Sequence, residues 1–200
     1  GYFKANAAPT AVEDTTGFRC CKGDLPVDPT ADQYKGGKVG DTALTWDLPN
    51  MNKDLVSFSS YEGKAVIQTF WATWRGPCRK ELPVLAELYE KYKDDLVVLG
   101  FPANDFLWQE PAKNSQIKTF CSTKYGVTFP MFEKSVVKKK ENQNPLYVWL
   151  SNKDLNGWNN SAPSWNFCKY LIDDEGKLIE FFSQSVNPLD EKITNYFDKK

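Results

Sequence analysis

Two nearly continuous apolar runs, Ala65 to Phe70 and Leu96 to Phe101, most constrain what this chain can fold into. Neither run leaves a polar face for water, so each reads as a strand buried on both faces of a sheet. Between them Leu82, Leu85, Leu88, Tyr89 and Tyr92 recur at helical spacing. Pro77 suits the first turn of that helix, where a missing N–H costs nothing. The unit is therefore strand–helix–strand. Both runs are far too short to cross a bilayer, so no membrane span is expected.

The remaining elements follow in order. Asp54 to Ser59 is a short strand-like piece before the turn Glu62-Gly63-Lys64. A long loop carries Pro102 to Pro111, and a helix from about Asn114 to Lys124 presents Ile117, Phe120 and Cys121. Gly126 is placed to end that helix as a left-handed cap. Phe129 to Phe132 and Phe167 to Ile172 read as further strands, and Asp173 to Gly176 as a turn into Lys177 to Phe182. Asn187 and Pro188 are expected to cap and start a closing helix. This is the order of the thioredoxin fold: an α/β domain over residues 38–200, with a central mixed sheet flanked by helices. Residues 1–37 are rich in Gly, Pro, Asp, Thr and Ala and have no apolar period, so they read as an extended N-terminal arm. If ordered, such an arm must lie on its own domain or on a protein partner, because contacts have to offset its ordering entropy.

Composition narrows the function. Lysine plus arginine number 25 against 26 acids, a net charge of −1, which argues against nucleic acid or an anionic membrane surface as partner. The one basic cluster, Lys138 to Lys140, is flanked by Glu133 and Glu141 and reads as a solvated loop. There is no histidine, which removes histidine-ligated metal and haem sites and every histidine base. The chemistry left is that of thiols, carboxylates, lysines and hydrogen-bond donors, and neither a cofactor nor a metal is expected. The five cysteines stand at 20, 21, 78, 121 and 168, an odd number that leaves at least one free thiol within the chain. Neighbouring Cys20 and Cys21 seldom bond each other and could anchor the arm or hold a soft metal; nothing else resembles a metal set. The opening Gly-Tyr-Phe-Lys, without methionine, is taken as a processed or trimmed form, with an organelle or secretion favoured over the cytoplasm.

The segment Phe70-Trp71-Ala72-Thr73-Trp74-Arg75-Gly76-Pro77-Cys78 resembles the redox loop W-C-G-P-C of thioredoxin-like proteins. That chemistry needs a thiolate at a helix N-terminus, where unpaired amides and the helix dipole lower a cysteine pKa. Arg75 holds the first position and never deprotonates, so no dithiol–disulfide cycle can run within the loop.

Downstream, Gly100-Phe101-Pro102-Ala103-Asn104-Asp105-Phe106 and Gln109-Glu110-Pro111 resemble the glutathione peroxidase stretch G-F-P-x-N-Q-F-x-x-Q-E-P. Tyr125 to Phe132, Pro145-Leu146-Tyr147 and Trp165 to Leu171 match later blocks of that family, so the resemblance runs from about Val39 to the C-terminus. It implies a peroxidatic thiol or selenol held by a glutamine, a tryptophan and an asparagine, matched here by Gln109, Trp165 and Asn166. The peroxidatic position itself matches Arg75, and a resolving cysteine of thioredoxin-dependent members matches Cys121. Asp105, where the family keeps glutamine, is a lesser departure. The short segment from Ser151 to Pro163 resembles monomeric or loosely associated members.

Several readings stay open. Arg75 marks a silent family member or an introduced replacement, or is a surface residue pairing a carboxylate. Cys78 is a substitute thiol, its pKa lowered by Arg75 three residues earlier, or a shielded small core residue. Cys121 resolves a sulfenic acid or simply faces the core beside Phe120. Cys168, expected to alternate with Asn166 on one strand face, approaches the same pocket or only packs. The chain is then a peroxidase-like protein with lost or much reduced activity that serves as a binding or structural subunit. The rivals are a thiol peroxidase acting through Cys78, with thioredoxin or glutathione as reductant, and a reductase or chaperone forming a mixed disulfide through Cys78.

Overall fold

The computed structural model describes residues 46–74 and 76–199, without the side chains of Pro77 and Cys78. The expected arm 1–37, with Cys20 and Cys21, lies outside the described residues, as does Arg75. The first described element is a small antiparallel hairpin of β1 (Asp47–Pro49) and β2 (Leu55–Ser57). Asn50 shapes its turn, its side-chain oxygen accepting from the N–H groups of Asn52 at 2.8 Å and Asp54 at 3.0 Å.

The main sheet has four strands in the order β4-β3-β5-β6. They are β3 (Ala65–Trp71), β4 (Leu96–Pro102), β5 (Lys169–Ile172) and β6 (Leu178–Phe182). β3 and β4 run parallel, from Ala65 opposite Leu96 to Trp71 opposite Pro102, and β5 is antiparallel to both β3 and β6. Every residue of β3 and β4 is buried, as the apolar runs require. Helix α1 (Gly76–Lys91) makes the crossover and turns Leu82, Leu85 and Leu88 into the core. Thus the expected thioredoxin-type α/β architecture, a mixed sheet flanked by helices, is present.

Alternation along the strands separates two cores. Val66, Phe70, Leu99 and Phe101 face Leu146, Tyr147 and Trp149 of a short helix, α3 (Pro145–Leu150). Ile67, Trp71 and Val98 face α1, α2 (Asn114–Tyr125) and the closing α5 (Glu191–Phe197). Between α3 and β5 lies the single turn α4 (Lys153–Asn156). The Trp71 ring lies over Gly100, where a Cβ would overlap it. No helix among the described residues is long and apolar enough to cross a membrane.

Gly126 ends α2 at φ +63°, as expected. Three other expectations need correction. Residues 129–132 form only isolated bridges, Met131 to Gly100 and Phe132 to Asn50, because Pro130 has no N–H with which to extend a ladder. β5 starts at Lys169, not Phe167, since Phe167 has φ +69° and stands in a turn. The closing helix is capped by Asp190, whose side chain accepts from Lys192 N–H at 2.9 Å. Asn187 instead closes a turn upstream by accepting from Leu189 N–H at 2.8 Å, so Pro188 precedes the helix. Helix α3 was not anticipated, although Asn144 caps it and Pro145 opens it.

Candidate active site

The topology gathers the motif residues at one end of the sheet. Parallel β3 and β4 both finish there, leading into Ala72–Trp74 and into the loop after Pro102. Antiparallel β5 begins there, preceded by Trp165, Asn166 and Phe167. A cleft of about 490 Å³ opens beside these loops, lined by Thr73, Trp74, Arg79, Pro111, Ile117 and Phe120 among others.

Glu110 organises the loop after β4. Its carboxylate is fully buried and accepts two hydrogen bonds from Thr73, from N–H at 2.6 Å and from Oγ1–H at 2.8 Å. The Glu110 N–H donates to Asn104 Oδ1 at 2.8 Å, and Lys134 Nζ donates to the carbonyls of Glu110 and Ala112. Burial raises the Glu110 pKa above the ordinary carboxylate value; the Thr73 bonds and the Lys134 charge oppose it. The next residue upstream, Gln109, is half-buried, and its Oε1 has no hydrogen-bond partner. Leu107 and Trp108 stand before it at φ +57° and +54°, with 69% and 83% of their surface exposed. Asp105 fastens the other side of the loop, accepting from Val137 N–H and Lys138 N–H and pairing with Lys140. Lys138 lies over the Phe106 ring at 4.6 Å, so two lysines of the exposed 138–140 run have partners after all.

The turn before β5 is fastened by a cation. Lys169 is fully buried, and its Nζ donates to the carbonyls of Phe167 and Val186, each at 2.8 Å. It also pairs with Glu81 of α1 at 3.5 Å. Burial lowers the Lys169 pKa and raises that of Glu81, with the pairing opposing both shifts. Phe167 N–H bonds Phe70 O at 2.8 Å, tying the turn to the end of β3. Asn166 is 3% exposed, and both ends of its amide lack a hydrogen-bond partner. Trp165 packs on Phe106 with ring centroids 5.5 Å apart.

Cys121 is fully buried in α2. Burial pushes its thiol up to about 12, against the Trp71 N–H, and the nearby Glu110 charge adds to the rise. Cys168 is also buried, 3.5 Å from Ser164 Oγ and 3.6 Å from Gln184 Oε1. It does not share a strand face with Asn166, since both residues precede β5. Cys78 belongs by backbone to the first turn of α1, while its side chain and all of Arg75 lie outside the described residues. Four working residues were not singled out from the sequence: Thr73, Glu81, Glu110 and Lys169. The available signal was polarity inside apolar blocks, a threonine ending Phe70-Trp71-Ala72 and a lysine between Cys168 and Tyr170.

The glutathione peroxidase family model matches residues 44–151, just over half of the chain. A glutathione peroxidase of Lactococcus lactis is 42% identical over 146 residues, covering 72% of this chain and 91% of that protein. The glutathione peroxidase-like peroxiredoxin 2 of Saccharomyces cerevisiae is 38% identical, covering 79% of this chain and 99% of the yeast protein. A thioredoxin family thiol:disulfide interchange protein from Chlorobium tepidum shares the fold. Its TM-score is 0.56 at 17% identity, with 80% of this chain and 95% of that one covered.

Proposed function

Because the chain belongs to the glutathione peroxidase family, we propose that it is a member whose hydroperoxide-reducing cycle is lost or strongly reduced, and that it acts as a binding or structural subunit. The observation that carries this reading is Arg75 at the position matched to the peroxidatic residue. In the family step a thiolate or selenolate attacks one peroxide oxygen, the O–O bond breaks, and the chalcogen is oxidised while water or an alcohol leaves. A guanidinium has no electron pair to offer at neutral pH. The expected partner of such a subunit is a protein contacted by residues 1–37.

A second reading is favoured by Asn166, whose buried amide N–H group has no hydrogen-bond partner and is available to hold a thiolate. There Cys78, in the first turn of α1, serves as the nucleophile, and thioredoxin or glutathione returns the electrons. Cys121 as resolver would first have to leave the core.

Steady-state reduction of hydrogen peroxide and cumene hydroperoxide, with thioredoxin or glutathione as donor, separates the two. The unaltered chain is expected to turn over at the rate of a free thiol, and Arg75→Cys to raise kcat/KM at least about 100-fold. Turnover by the unaltered chain that disappears in Cys78→Ser would replace the first reading with the second.

A further inference from the structure

We propose that Glu110 is a positioning residue, whose buried carboxylate clasps Thr73 and thereby fixes the loop leading to Arg75 and Cys78 against the segment that carries Gln109. Thr73 is held at three atoms: its N–H and hydroxyl by Glu110, and its carbonyl by Arg79 Nε at 3.1 Å. Glu110 is likewise held at three: its N–H by Asn104, its carbonyl by Lys134, and its carboxylate by Thr73. Gln109 is therefore one peptide bond from an anchored residue, and Arg75 two residues from the other. A shift of either loop is passed directly to its neighbour.

A purely structural contact would not need this chemistry. Removing a carboxylate from water is costly, and apolar residues of similar volume often do the packing as well. Among the described residues no cation reaches the Glu110 side chain at bonding distance; Lys134 and Arg79 both donate to backbone carbonyls. What the carboxylate supplies is two acceptors for two donors of one residue, which sets orientation as well as distance. The charge of the same carboxylate adds to the burial that keeps Cys121 a thiol. Loss of the carboxylate would thus free the redox loop and remove that charge together.

This inference rests on residues 70–78 being the family's redox loop, and its first test needs no peroxide chemistry. Amide hydrogen exchange is measured on the full chain for Glu110→Gln, which keeps the shape but offers one acceptor, and for Thr73→Val, which removes only the hydroxyl bond. Exchange over residues 72–78 is expected to rise about 10-fold in Glu110→Gln and less in Thr73→Val, with β3 and β4 unchanged. Iodoacetamide should also alkylate Cys121 faster in Glu110→Gln. Unchanged exchange at 72–78, or a rise spread equally over the sheet, overturns the assignment. If Glu110→Gln fails to fold, the local rise in Thr73→Val decides. In the Arg75→Cys background, Glu110→Gln should lower kcat/KM for hydrogen peroxide about 10- to 100-fold and leave the KM for the reductant unmoved. Loss of both parameters together would mark Glu110 as merely structural. Should Arg75→Cys itself stay inactive, the exchange result still tests the clasp.

Discussion

The loop that carries Gln109 hangs on a buried anion, and the turn that carries Asn166 hangs on a buried cation. Glu110 has neutral donors at bonding distance, the N–H and O–H of Thr73. Lys169 has two carbonyls and a carboxylate, Glu81, whose side chain is 25% exposed. In both, desolvation is the largest influence on the pKa, favouring the neutral form. The difference lies in what each would strand if removed. Without Lys169, a carboxylate and two carbonyls lose their partner; without Glu110, two neutral donors do. One fastening is thus tied to the stability of the whole core, and the other can loosen locally.

That contrast can be broken by measurement. Lys169→Ala is expected to cost about 3–5 kcal/mol in urea unfolding, because the Glu81 charge is left unpaired beneath α1. Glu110→Ala should cost less, about 1–3 kcal/mol, the usual range for stranding a buried donor. Equal losses would abolish the distinction between a core fastening and a local one. Replacing Lys169 and Glu81 together, as Lys169→Met with Glu81→Leu, should recover most of the Lys169→Ala loss.

A smaller effect of opposite sign is expected at Trp108. It is exposed yet held at φ +54°, so Trp108→Gly should raise stability by about 1 kcal/mol in the same assay. The pH dependence should be smallest and sharpens the comparison. Glu110 holds its proton more tightly when folded, so stability should fall as pH rises from the ordinary carboxylate value through the raised one. Lys169 releases its proton more readily when folded, so stability should rise with pH between its lowered value and the ordinary lysine value. Glu110→Gln should flatten the first slope and Lys169→Met the second, read from urea midpoints across pH.

These two fastenings are also where the sequence ceased to be legible. The buried strands, the periodicity of α1 and the cap at Gly126 could be read because each is decided locally, by a run, a spacing or a single left-handed residue. Phe167 could not, since an aromatic between Asn166 and Cys168 favours a strand until Lys169 and Phe70 draw its backbone into a turn. Glu110 was quoted within Gln109-Glu110-Pro111, but its work depends on Thr73, 37 positions away. Asp190 displaced Asn187 as the helix cap because both residues can serve, and only the packing of Ile193 and Phe197 sets the register. Gln109, Trp165 and Asn166 are expected site residues through motif resemblance alone, and the topology brings their segments to one end of the sheet.

Gly100 gives the molecule an unusual map of tolerance. It sits within β4, before the loop that carries Gln109, and its missing side chain is the space occupied by the Trp71 ring. Trp71 ends β3 and opens the segment that runs through Thr73 to Arg75. Even alanine at 100 would displace that ring, and the disturbance would emerge in the loop ahead of it. Substitution at this position is therefore closed off by an aromatic ring that is itself wholly buried in the core.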